Sequence, residues 1–254
     1  MDGPTERFAA LVREHGERLP LDEAAMLVAA HALPDLDVDA QLARLDALAA
    51  EVGDATPLGV CDHLVGVAGF AGDRSTYHDA RNSLLPEVLD RRLGIPLTLS
   101  VVAIEVGRRR GAPLVGIGMP GHFLVRPADE VGTYVDVYDG ARVLDREGCR
   151  EIFDRLHTGG TWRDDLLAPV ESVAIVTRLL ANLANAHRRV GDRRALSWTL
   201  ELRLLLPGAT IREQRELAVV LGAAGRYARA AEILEGTGEA KDLASAQRMR
   251  ARLN

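Results

Sequence analysis

Arg92-Leu93-Gly94-Ile95-Pro96-Leu97-Thr98-Leu99-Ser100, continued by an apolar run to Val106 and closed by Gly111-Ala112-Pro113, forms the centre of a chain of 254 residues. Proline is favoured at the first position of a helix, where its missing N–H would have had no partner, so a helix is expected to begin at Pro96. From Leu97 to Val106 nearly every residue is apolar or small, with Thr98, Ser100 and Glu105 the exceptions, and a helix apolar on most sides is a buried one. Gly111 ends it and Pro113 prevents its continuation. Upstream, Asn82 or Ser83 is expected to cap a helix that runs through Arg92 and is closed by Gly94 in the left-handed conformation.

Downstream, Leu114-Val115-Gly116-Ile117, Phe123-Leu124-Val125 and Tyr134-Val135-Asp136-Val137-Tyr138 have the β-branched and aromatic content of strands. Asp139-Gly140 signals a type I′ hairpin turn, with Ala141-Arg142-Val143-Leu144 as the return strand. Pro127 to Gly132 is the exposed loop between two neighbours in a small antiparallel sheet. Before this core, residues 1–75 show helical spacing, as in Leu42, Leu45, Leu48 and Val52, with Asp37 as an N-cap. Beyond Trp162 helix returns, and Gly191 and Gly225 lie 34 residues apart, the period of tetratricopeptide repeats. Ala195 or Leu196 and then Ala230 supply the small or apolar residue after each glycine, and Pro207 ends the first helix pair. The expected fold is helix-rich α+β, with helices over 1–75, a core over 76–165 and a repeat-like helical region over 166–254.

Composition narrows the function. A net charge of −6 opposes general nucleic-acid binding, which requires a concentrated basic surface. Arg108-Arg109-Arg110 is read as three cations at a helix C-terminus. Cys61 and Cys149 form neither a metal pair nor a disulfide framework, and Met1 to Arg7 has no apolar signal region, so a cytoplasmic protein with no membrane span is expected. The seven histidines show no ligand-spaced pair, so neither a metal nor a cofactor is implied.

Asn82-Ser83-Leu84-Leu85, Arg92 to Ser100, Pro120-Gly121-His122-Phe123-Leu124-Val125 and Val135-Asp136 together resemble the transglutaminase-like family of bacterial SirB-type proteins, whose relatives include some eukaryotic F-box proteins. The likeness runs from about Asp22 to Leu234. It implies N-terminal helices, a degenerate transglutaminase or papain-like core and a helical-repeat tail. In active members of that wider superfamily a Gly-x-Cys opens the buried helix, where the helix N-terminus lowers the thiol pKa. Here those places are Gly94-Ile95-Pro96, and counting fifteen residues back from Gly111 reaches Pro96 again. Proline offers no nucleophile.

His122 and Asp136 match the base and its orienter. Without a cysteine they are read as a retained structural pair, or, with Asn82, Arg126 and Tyr138, as the lining of a polar pocket for a small ligand or a peptide terminus. The expected function is accordingly a non-catalytic scaffold or regulatory protein that binds a protein or peptide partner. The competing reading is a hydrolase or acyltransferase with a displaced nucleophile. Its candidates, with His122 as base and Asp136 as orienter, are Cys61, in Gly59-Val60-Cys61-Asp62-His63, Ser100, which sits about a turn into the buried helix without a nucleophile elbow, and an activated water.

Overall fold

The computed structural model describes residues 3–253. The amino-terminal part contains helices α1 (Pro4–His15), α2 (Leu21–Ala29), α3 (Val38–Ala50) and α4 (Pro57–Asp62), then strand β1 (Ala71–Gly72). The centre holds helix α5 (Leu85–Arg91), strand β2 (Leu93–Gly94), helix α6 (Pro96–Arg110), strands β3 (Leu114–Ile117), β4 (Leu124–Pro127), β5 (Tyr134–Asp136) and β6 (Arg142–Leu144), and helix α7 (Arg146–Leu156). Strand β7 (Pro169–Val170) precedes five helices, α8 (Ser172–Val190), α9 (Arg193–Leu205), α10 (Ile211–Ala223), α11 (Tyr227–Glu235) and α12 (Ala240–Arg250). The class is helix-rich α+β.

Helix α6 is the centre of the packing. Pro96 occupies its first turn, Gly111 ends it at φ 70°, and residues from Pro96 to Ala103 are all buried. Around it lie α2, α3 and α4, strands β3 and β4, and α8. Phe8, Met26, Leu27, Leu45, Val102 and Leu180 belong to one apolar cluster, which the first helices, α6 and α8 therefore share. Burying each such side chain contributes about 1.5–3 kcal/mol.

The main sheet is antiparallel throughout, in the order β6-β5-β4-β3-β7. Successive side chains of a strand point to opposite faces. Val125 and Val135 accordingly join the cluster around α6, while Leu124, Tyr134 and Leu144 join Ile152 and Phe153 of α7. Both faces of the sheet are covered. At the carboxyl end α9 to α12 pack in sequence around Leu200, Leu217, Leu221 and Ala230, and Ala184 of α8 reaches that second cluster.

Four local expectations are corrected. The helix before Gly94 starts at Leu85, and its left-handed cap is Arg92 at φ 55°, not Gly94. Gly94 instead pairs in β2, parallel to β1. It must be glycine for a different reason: a Cβ there would lie 2.8 Å from Thr98 Oγ1 and 3.2 Å from Leu99. The β5–β6 connection is a five-residue loop, because Asp136 pairs with Arg142, and its left-handed residues are Gly140 and Ala141 in place of Asp139 and Gly140. Arg108 and Arg109 do more than complement a helix dipole, since both bind the carboxylates of Asp22 and buried Glu105. Strand β7 is too short to carry a period-two signal, and pairing with β3 alone defines it.

Asp73 organises the segment between β1 and α5. Its carboxylate accepts from the backbone N–H groups of Ser75 and Thr76, from Thr76 Oγ1 at 2.5 Å, from Asn82 Nδ2 at 3.1 Å and from Arg91 Nη2 at 3.2 Å. The Thr76 hydroxyl and N–H, with Asn82 and Ser75 behind them, hold this carboxyl far below the ordinary carboxylate range. A depressed folded-state pKa gives stability that is fully present above the unfolded value and lost as pH falls. Replacement of Asp73 by Asn is expected to cost about 1–3 kcal/mol at pH 7. Urea unfolding of Asp73→Asn should then lose less stability than wild type as the pH is lowered below about 4. Parallel pH profiles for the two proteins would remove Asp73 as the acid-sensitive latch.

Candidate functional site

The amino end of α6 faces a cleft of about 490 Å³ whose lining includes Pro96, His122, Asp136 and Tyr138. Pro96 gets there because the chain enters α6 through Gly94, under which Thr98 folds back. Thr98 Oγ1 accepts from the Ile95 N–H at 3.2 Å and donates to the Asn82 carbonyl at 2.7 Å. This pins the helix start to the Asp73 segment. A helix N-terminus carries unpaired N–H groups and a positive dipole end, so a group in the cleft beside Pro96 meets that field.

His122 lies in the turn between β3 and β4, two residues before the strand begins. Gly121 precedes it at φ 71°, and a Cβ at that glycine would lie 2.7 Å from the His157 ring. Only glycine fits both demands. Asp136 ends β5, and its Oδ2 accepts from His122 Nε2 at 2.7 Å while Oδ1 accepts from the Asp139 N–H at 3.1 Å. Both side chains are largely buried, with side-chain exposures of 11% and 4%. Because Asp136 occupies Nε2, the other ring nitrogen, Nδ1, is the one left for a ligand. That is the arrangement of a base and its orienter.

Tyr138 packs edge-on to His122, with ring centroids 6.2 Å apart. Burial raises its hydroxyl above the ordinary tyrosine value, so it remains a neutral donor, pointing to the Asp73 carbonyl at 3.4 Å. Its ring lies against Gly72, where a Cβ would come within 2.5 Å. Arg74 covers the other side, 5.6 Å from the Tyr138 centroid, and is bound to Asp139 at 2.5 Å.

The remaining sequence candidates lie elsewhere. Asn82 is fully buried, its amide shared among Asp73, Thr76 and Arg91, so it supports the cleft from behind. Arg126 is also buried. Its Nη1 donates to the carbonyls of Pro127, Ala128 and Glu130 and so clamps the loop after β4. Cys61 is completely buried on α4, outside the cleft lining, and burial pushes its thiol up to about 12. Ser100 is fully buried within α6, and its hydroxyl has no hydrogen-bond partner among the described residues. Neither lines the cleft. Among the described residues no group of three or more His, Cys, Asp or Glu side chains gathers as a metal site would require.

The cleft also includes Arg74, Tyr77, His78 and Arg155, which the motifs did not single out. One signal was available. In a chain with four tyrosines, Tyr77 stands beside His78 in a polar loop, an unusual place for an aromatic with no apolar period around it.

A family model described as Transglut_core2, transglutaminase-like superfamily, matches residues 37–181. A UPF0162 protein of Xylella fastidiosa is 39% identical over 186 residues, which take in 67% of this chain and 66% of that protein. A UPF0162 protein of Pseudomonas aeruginosa is 33% identical over 181 residues, 68% of this chain and 66% of that protein. The chain thus spans just under two thirds of the length of these bacterial relatives. Mouse F-box only protein 21 is 29% identical over 131 residues, 48% of this chain and 20% of that protein. No solved structure matches the chain.

The geometry makes a direct test available. A thiol introduced as Pro96→Cys would sit at the helix N-terminus in the cleft of His122, both of which lower a thiol pKa. Iodoacetamide at pH about 6.5 is expected to label it at least tenfold faster than free cysteine. Cys149, whose thiol burial also pushes up to about 12, should remain unlabelled together with Cys61 in the native protein. Labelling no faster than free cysteine, or unchanged by an added His122→Ala, would show that position 96 and His122 do not form a catalytic-type pair.

Proposed function

The chain belongs to the transglutaminase-like superfamily, and from that premise we propose that it is a non-catalytic member whose inherited cleft binds a protein or peptide segment. One observation carries this reading. Pro96, His122 and Asp136 line one cleft, so the base and its orienter remain in place while the position at the helix start has no attacking atom. An acyl-transfer enzyme needs that atom within reach of the base. Cys61 and Ser100 lie outside the cleft lining and are fully buried, which disfavours a displaced nucleophile. A histidine oriented by a carboxylate retains a second use: Nδ1 can accept a hydrogen bond from a ligand N–H, or donate one when the ring is protonated.

The proposal extends to the flanking regions. We assign the chain to the SirB-type branch on its Gly94-Ile95-Pro96 and Pro120-Gly121-His122 motifs. We read the last helices as tetratricopeptide-like. Gly191 and Gly225 support this, since both adopt left-handed φ, 71° and 77°, at equivalent places between α8 and α9 and between α10 and α11. A cytoplasmic setting is proposed because Cys61 and Cys149 are buried and unpaired.

Selection of a phage-displayed random octapeptide library on immobilised protein tests the binding reading. Wild type is expected to enrich defined sequences, and His122→Ala together with Tyr138→Phe should reduce binding of the selected peptides about tenfold or more. Turnover of p-nitrophenyl esters should be equal in wild type and His122→Ala. A His122-dependent rate would overturn the non-catalytic assignment, and an unenriched library would overturn the binding assignment.

A further inference from the structure

Helix α8 carries Arg178, Asn182, Asn185 and Arg189 at spacings of four, three and four, which places all four on one face. That face turns towards the loop of Tyr77 and His78. Between them lies a second cavity of about 520 Å³, lined by Tyr77, His78, Asn182, Asn185, Arg188 and Arg189. Tyr77 and His78 also line the His122 cleft, so the two cavities adjoin at those side chains, and together they form a trough with Tyr77 and His78 as the wall between its halves.

The trough's acids are already occupied. Asp136 holds His122, Asp139 holds Arg74, and no acidic residue lines the second cavity. Its cations are only partly committed. Arg188 is bound to Glu216 and to Asn185. Arg155 and Arg189 are exposed and make no ion pair among the described residues. Arg178, one turn further back on α8, is part-buried and lines neither cavity. It donates to the Met119 carbonyl at 3.0 Å and lies 5.5 Å from the Phe123 centroid, again without a carboxylate partner among the described residues.

The amides on the same face complete the picture. Asn182 makes no side-chain hydrogen bond among the described residues, and Asn185 commits only its oxygen, to Arg188 Nη1 at 2.7 Å. A free carboxamide offers a donor and an acceptor that match a peptide unit. Spaced along one helix face, the free carboxamide of Asn182 and the uncommitted N–H groups of Asn185 suit an extended backbone.

We propose that this trough binds an extended acidic peptide segment, with Asn182 and Asn185 on its backbone, Arg189 opposite a carboxylate, and its end in the His122 cleft beside Arg155. This rests on the binding reading and specifies the partner's chemistry. Single-stranded RNA shares the negative charge, but Arg188 is neutralised and the chain carries a net charge of −6, so a peptide's few carboxylates suit the trough better than a phosphate at every nucleotide.

Octapeptides selected on wild type are expected to carry Asp and Glu about threefold above their frequency in the unselected library, with tightest binding at low salt. Arg189→Glu combined with Arg155→Glu, both exposed positions, should return that acidic content to background. Arg252→Glu, on a separate cavity at α12, should leave it unchanged. In fluorescence anisotropy, replacing Glu by Gln in the best selected peptide should weaken binding at least about tenfold, and a short oligouridylate should not displace it. Circular dichroism melting of each variant confirms that it is folded. Enrichment without acidic bias, equal binding of the Gln peptide, or displacement by oligouridylate overturns the acidic-peptide assignment and leaves the binding reading standing. A library that is not enriched at all overturns both.

Discussion

The seating of the amino end of α6 is the constraint on which the rest of the structure depends. Gly94 has no Cβ, so Thr98 can fold beneath it and bridge the Ile95 N–H and the Asn82 carbonyl. Asn82 is in turn held by Asp73, which also accepts from Arg91 and the backbone of residues 75 and 76. Buried polar groups are tolerable only when bonded, and here the bonds of Thr98 to Asn82 and of Asp73 to Asn82 and Arg91 tie separate segments together. The result fixes Pro96 in the cleft, sets the direction of α6 and aligns the sheet that carries His122 and Asp136.

The His122–Asp136 pair is held within its own elements. His122 and Asp136 are oriented by their own elements, the β3–β4 turn and the end of β5, and not by a thiol. Tyr138 closes the arrangement, pressed against Gly72 and covered by Arg74. With proline at position 96, the cleft is polar and its imidazole has one nitrogen held by Asp136 and the other without a hydrogen-bond partner among the described residues. Across a short shared wall at Tyr77 and His78 it adjoins the polar face of α8.

Much of the fold was legible locally. Pro96 and Gly111 set the limits of α6 because each has a strong backbone preference that burial reinforced. Asp37 caps α3 through the Ala40 N–H at 3.0 Å, as its place after Pro34 suggested. Strands β3, β4 and β5 followed from branched and aromatic residues. Failures occurred where the reason for a residue lies across space. Gly94 signals a cap by sequence, yet it is required by the approach of Thr98 and Leu99. Asn82 and Arg126 look like pocket residues because they stand beside the motifs, but their partners are carbonyls and carboxylates in the interior.

Sequence alone determined the helix-rich α+β class, the proline at the start of the buried helix and the pairing of His122 with Asp136, because helix punctuation, strand content and motif spacing are local properties of the chain. Only the tertiary structure decided that Pro96 lines the same cleft as that pair, that Cys61 and Ser100 do not, and that Tyr77, His78 and the polar face of α8 extend it. These facts depend on which surfaces meet when α6, the sheet and α8 bury their apolar faces together. No spacing along the chain encodes that meeting, since it is set by packing between segments that are as much as a hundred residues apart.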